Sequence, residues 1–133
     1  MGHWGVKSYE IDEAADALDA GFERVHGARY VEYMDDSNPL TVDQVQERLA
    51  DATTLEASLE ALREQVDRDE AEWEDVERLA FVGIVVRHAE LGVAIPDVHR
   101  ARALDWLGSE SIEWDEATKR RLRREKELAL LRR

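Results

Sequence analysis

At 133 residues the chain is one domain's worth of sequence, and its 44% apolar content argues against wholesale disorder despite a net charge of −13. With no cysteine it has no disulfide, no thiolate metal site and no Cys nucleophile, which fits a reducing, cytoplasmic setting. No stretch approaches the ~18 apolar residues of a membrane span, so no membrane association is expected, and the acidic balance disfavours nucleic acid while favouring basic partners.

The charge is unevenly placed. Residues 1–115 hold 10 Lys and Arg against 28 Asp and Glu, a balance of −18, whereas residues 116–133 hold 8 against 3, a balance of +5. Residues 1–11 carry two glycines and no helical period, so they read as an irregular arm pinned to the body by Trp4 and Tyr9. No basic-then-apolar leader opens the chain, and Val6 stands where a myristoylation signal needs Ser or Thr.

Met1-Gly2-x-Trp4-Gly5, followed by Tyr9-Glu10-x-Asp12-x-Ala14-Ala15-Asp16-x-Leu18, resembles the opening of a family of small bacterial proteins of unknown function. Members of that family typically begin MG-x-WG-x-G-x-F-[DE]-N-D-x-A-A-D. The resemblance covers about one seventh of the chain, and Lys7 and Ile11 depart from the family's second glycine and its asparagine. It implies a small helical protein and lends no catalytic residue.

Asp12 suits an N-cap, and Leu18, Phe22 and Val25 mark the apolar face of the helix behind it, continued by Tyr30 and by Tyr33 or Met34. Gly27 predicts a kink or a close approach, and Asp35 to Pro39 break the helix. Thr41-Val-Asp-Gln44 matches a capping box before a short helix carrying Val42, Val45 and Leu49. Thr53-Thr-Leu-Glu56 matches another, before a helix with Leu55, Leu59, Leu62 and Val66 on one stripe. Glu56, Glu60 and Glu64 form a separate face that must be wet or opposite a basic neighbour.

Leu79-Ala-Phe-Val-Gly-Ile-Val-Val86 is the longest unbroken apolar run. Its flanks keep a helical period through Trp73, Val76, Ala80, Ile84 and Leu91, and Gly92 offers the C′ position. A helix over residues 70–91, apolar all round in its middle, has to be surrounded by other helices. Pro96 and Asp97 then open a helix to about Leu107, ended by Gly108. Ile112 and Trp114 tuck inward from a loop, and Asp115 caps a last helix with six cations between Lys119 and Lys126. The expected fold is all-α: a single domain over 1–133, a bundle of about six helices around the central helix, with an arm over 1–11 and a basic helix over 116–133.

Candidate chemistry is sparse. Glu23 and His26 have the Glu-x-x-His spacing of di-iron bundles, but such a site needs two of these motifs and only one is present, so no metal or other cofactor is expected. No Gly-x-Ser-x-Gly, His-Glu-x-x-His or phosphate-loop pattern occurs, which leaves no complete catalytic constellation. Arg87, His88 and Glu90 emerge where the central run meets water and, with His26, form a candidate polar site for a small anion or a proton relay. Lys119, Arg120, Arg121, Arg123 and Arg124 form a candidate partner-binding patch, docking on acidic helices near Glu56, Glu60 and Glu64 in the same chain or in another copy. Two functions follow as expectations. The first is a small interaction protein that binds a protein partner or itself through acidic faces and a basic helix; the second is a ligand-binding or catalytic bundle centred on Arg87 and His88.

Overall fold

The computed structural model describes residues 4–111 and 113–133, so Met1 to His3 and the inward turn expected of Ile112 lie outside the described residues. The chain order is α1 (Asp12–His26), α2 (Ala28–Met34), α3 (Val42–Leu49), α4 (Ala52–Val66), α5 (Asp75–Glu90), α6 (Asp97–Gly108) and α7 (Ala117–Leu131). No strand occurs among the described residues, and no helix is long and apolar enough to cross a membrane. The expected all-α bundle is present, with seven helices because the chain breaks at Gly27. That glycine takes φ 54° and ψ −123°, so the expected kink is a full break between α1 and α2.

The central helix is α5. Every residue from Leu79 to His88 is buried, as a helix apolar on all sides requires. Gly92 follows it with φ 81°, the left-handed conformation that stops helices. The start differs from the sequence expectation. Asp67 turns left-handed after α4, a single 3-10 turn spans Glu70–Glu72, and α5 begins only at Asp75. Trp73 is buried as its spacing implied, but from that turn: its ring meets Trp106 at 5.9 Å and its Nε1 donates to the Arg68 carbonyl at 3.1 Å. Glu70 accepts from both Arg63 and Arg102, which holds the turn in place of a helical start.

Capping follows the sequence at Thr41, where the reciprocal box with Gln44 forms at 2.9 and 3.2 Å. It does not at α4, where the box is Asp51 with Thr54. Asp12 is the first helical residue rather than the cap, and position 116, not Asp115, precedes α7 without a side-chain cap.

The tightest helix pair is α1 against α4. A Cβ on Gly21 would stand 2.2 Å from Ser58 Oγ and 2.5 Å from the Ser58 backbone nitrogen, so only glycine permits this approach. Gly83 plays the same part for the arm, since a Cβ there would stand 2.6 Å from the Ser8 carbonyl oxygen. The arm thus lies directly on the middle of α5. One core cluster joins Ile11 to residues of every helix, including Tyr30, Leu49, Leu62, Leu107 and Leu131. Two apolar residues expected to pack inward remain outside: Trp4 is 60% exposed and Val42 51%.

Candidate functional site

Arg87 and His88 are consecutive in α5 yet serve different neighbourhoods. His88 is fully buried. Its Nδ1 lies 2.9 Å from the Ile84 carbonyl, which can only accept, so Nδ1 carries the proton; Nε2 of the neutral ring lies 2.9 Å from the Thr54 hydroxyl, whose one proton is shared with the Asp51 carbonyl at 2.9 Å. Burial depresses its pKa below the ordinary histidine value; the Ile84 hydrogen bond and the Asp51 charge partly offset this, and Arg87 adds to it. Arg87 instead donates to Gln46 Oε1 at 2.7 Å and Asp43 Oδ1 at 3.0 Å, with its guanidinium 5.2 Å from the Tyr9 ring centroid.

Glu90 accepts from the Tyr9 hydroxyl at 3.3 Å and pairs with Arg123. Arg87 and Glu90 therefore meet through Tyr9, and each has its own charged partner, Asp43 for Arg87 and Arg123 for Glu90. Burial and the Glu90 charge push the Tyr9 hydroxyl up to about 12 against the pull of Arg87 and Arg123. His26 donates from Nε2 to the Leu49 carbonyl at 2.7 Å and lies 3.9 Å from Asp51 Oδ2. The four candidate residues thus divide into two pairs: Arg87 and Glu90 beneath the arm, His88 and His26 beside the start of α4. Glu23 is exposed, and no group of three or more His, Asp or Glu among the described residues is placed to hold a metal ion.

The cations of α7 divide as well. Arg120 is 2% exposed. Its guanidinium donates to both Glu110 carboxylate oxygens, to Glu127 Oε1 at 3.0 Å and to the Val6 carbonyl at 2.8 Å, and it stacks 4.8 Å from the Trp114 ring. Burial opposes the charged form, but the hydrogen bonds and charges of Glu110 and Glu127 outweigh it and raise the pKa. Arg123 bridges Glu127 and Glu90. Lys119 pairs with Glu116 at 2.8 Å, Arg121 is exposed and Arg124 half-buried. The helix does not lie on Glu56, Glu60 and Glu64, whose partners are His99, Arg63 and Arg24.

A concave surface opens on the other side of the arm. Trp4, Tyr9 and Glu10 of the arm, Asp16, Leu18 and Asp19 of α1, Tyr30 and Met34 of α2, and Val42, Asp43 and Gln46 of α3 enclose a cavity of about 450 Å³. That volume lies within the range of small-molecule and side-chain pockets. An adjoining hollow of about 390 Å³ shares Asp19, Tyr30 and Met34 and continues over Glu23, Val31, Asp35 and Asp36. The two form one groove whose lining has seven carboxylates and no Lys or Arg.

Its apolar side is equally distinct. Trp4, Val31 (53% exposed) and Val42 all border it, three of the five large apolar side chains that the described residues expose. Inside, the Tyr30 hydroxyl donates to Asp19, and burial followed by that carboxylate raises its pKa, so the phenol stays neutral. Asp43 is held by Arg87 and Asp35 by the Ser37 amide and hydroxyl. Among the described residues Asp16, Glu23 and Asp36 have no cation within ion-pair distance. Sequence reading missed this groove because four separate elements contribute to it, and Trp4, one of its walls, reads in sequence as a pin for the arm. Such a surface can take up positive charge together with an apolar side chain. Neither the family models, the curated proteins nor the solved structures include a match to this chain.

Proposed function

We propose that the protein is an interaction module whose groove receives a basic, amphipathic segment of a protein partner. The observation that carries this reading is the coincidence of exposed Trp4, Val31 and Val42 with a lining of seven carboxylates and no cation. An amphipathic helix laid in the groove would bury its apolar face on Trp4, Met34 and Val42 and bring lysines or arginines to Asp16, Glu23 and Asp36. The acidic body adds a long-range attraction for such a partner. Of the α7 cations that sequence placed in a partner-binding patch, Arg120 and Arg123 are engaged within the chain.

The test is titration with a synthetic lysine- and leucine-containing amphipathic peptide, followed by tryptophan fluorescence and calorimetry. The parent is expected to bind it more tightly than a scrambled peptide of equal charge, and salt should weaken binding. Trp4→Ala and Asp16→Asn should each lower the affinity. Glu60→Gln with Glu64→Gln, which removes charge from the wet face of α4, should not. Equal affinity for the ordered and scrambled peptides, or equal losses at both acidic faces, would refute the reading.

A further inference from the structure

We infer that Glu127 and Arg120 of α7 are positioning residues for the groove, acting as a clamp that fixes the arm as one of its walls. This rests on the groove reading above and names what holds the site in shape. Glu127 is 1% exposed, and its Oε2 accepts from both the amide and the hydroxyl of Ser8, at 2.9 and 2.8 Å. Arg120 grips the neighbouring Val6 carbonyl at 2.8 Å and Glu127 itself at 3.0 Å. Gly83 receives the arm's backbone from below.

The arm then carries this anchorage to the groove through its own turn. The Glu10 amide donates to the Lys7 carbonyl at 2.9 Å, the Lys7 amide to Glu10 Oε1 at 3.1 Å, and the Trp4 amide to the Glu10 carbonyl at 3.2 Å. Trp4, Tyr9 and Glu10 therefore move as one piece with Ser8. No α7 side chain lines the groove, so the helix acts on it only through the arm. A buried carboxylate committed to four donors, two of them on a segment without regular structure, is an anchor that a packing role alone does not call for.

Coupling of this kind is reciprocal: a ligand that needs the arm in place must in turn tighten the contact of the arm with α7. The experiment uses the same lysine- and leucine-containing peptide with the full chain. Ser8→Ala removes one donor and leaves Glu127 paired with both arginines; Gly83→Ala changes no lining residue and forces the arm away through its backbone, at Ser8 and at the Cα of Tyr9. Each is expected to weaken the peptide about fivefold or more. Leu107→Ala, a core change in α6, is the control for lost stability and should keep the parent's affinity. In the parent, the peptide should slow amide hydrogen exchange of α7 near Arg120 and Glu127. If the parent binds the peptide while Ser8→Ala and Gly83→Ala bind it equally well, or α7 exchange does not change, the clamp is refuted and the groove reading stands. If the parent does not bind the peptide, the groove reading falls and takes the clamp with it.

Discussion

Gly21→Ala puts the contact of α1 with α4 to a direct test. In an exposed helix the change would stabilise by about 1 kcal/mol through helix propensity. Here the new Cβ would meet Ser58 Oγ at 2.2 Å, Ser58 N at 2.5 Å and Ser58 Cα at 2.6 Å. Two of those atoms are backbone, so no rotamer of Ser58 relieves the clash, and the helices must part by about 1 Å to restore ordinary contact. Overpacking of this kind costs roughly 1–3 kcal/mol, and a backbone obstacle belongs at the upper end. The net expectation is a loss of about 1–2 kcal/mol. At about 2.1 cal/mol/K of unfolding entropy per residue, that lowers the melting temperature by roughly 4–7 °C in a chain of this length. Gly108→Ala is the counterpart, because it ends α6 with no atom within 4 Å of its added Cβ, and it should be neutral or stabilising. Thermal unfolding followed by circular dichroism separates the two. A Gly21→Ala protein that melts at or above the parent would mean that α1 and α4 do not approach as closely as the structure places them.

Two further outcomes follow from the buried polar groups. The unfolded chain returns His88 to its ordinary pKa of 6.5, while burial holds it lower in the fold, so the unfolded state binds the proton first. The stability contributed by neutral His88 is complete above 6.5 and is lost as pH falls from there through the folded value. Denaturant unfolding between pH 7.5 and 5 should show this decline, and His88→Leu should remove part of the slope; an unchanged slope would contradict the neutral assignment. Arg120→Met leaves Glu110 and Glu127 buried without their shared guanidinium and should cost about 3–5 kcal/mol, whereas exposed Arg121→Ala should fall within about 0.5 kcal/mol of the parent. Denaturant midpoints of the two variants check this, and similar values would refute the buried network.

Local rules were legible where a single stretch decides the outcome. Gly92 stops α5, Gly27 breaks the first helix in two, Thr41 and Gln44 cap α3, and Leu79 to Val86 are buried on every side. At α4 two overlapping patterns compete, and burial chooses between them. Thr54 faces the core, where its hydroxyl must be satisfied, and Asp51 and His88 supply the partners. The start of α5 departs from the sequence expectation because Trp73 keeps the helical spacing while belonging to a turn held by Glu70. Arg120 and Arg121 are indistinguishable in sequence, yet one is buried and the other exposed. What separates them lies 114 and 119 residues away, in Val6 with Arg120 and in Ser8 with Glu127.

The same long-range pairing explains why the groove is uncompensated. In sequence, a body of −18 beside a helix of +5 reads as two charges waiting to meet. In the fold the meeting is confined to Glu90, Glu110, Glu116 and Glu127, acids that flank or belong to α7. Arg24, Arg63 and His99 serve the acids of α4, and Arg87 reaches Asp43 from beneath. None of these cations reaches Asp16, Glu23 or Asp36, and α7, which holds the most cations, sends Arg120 and Arg123 toward the arm. Desolvating Arg120 and Glu127 is costly, and several hydrogen bonds to each are needed to offset it. A chain whose surface charge were merely solvated would gain little from burying them there. The placement makes physical sense if the position of the arm matters, and the arm's other face is the wall of the groove.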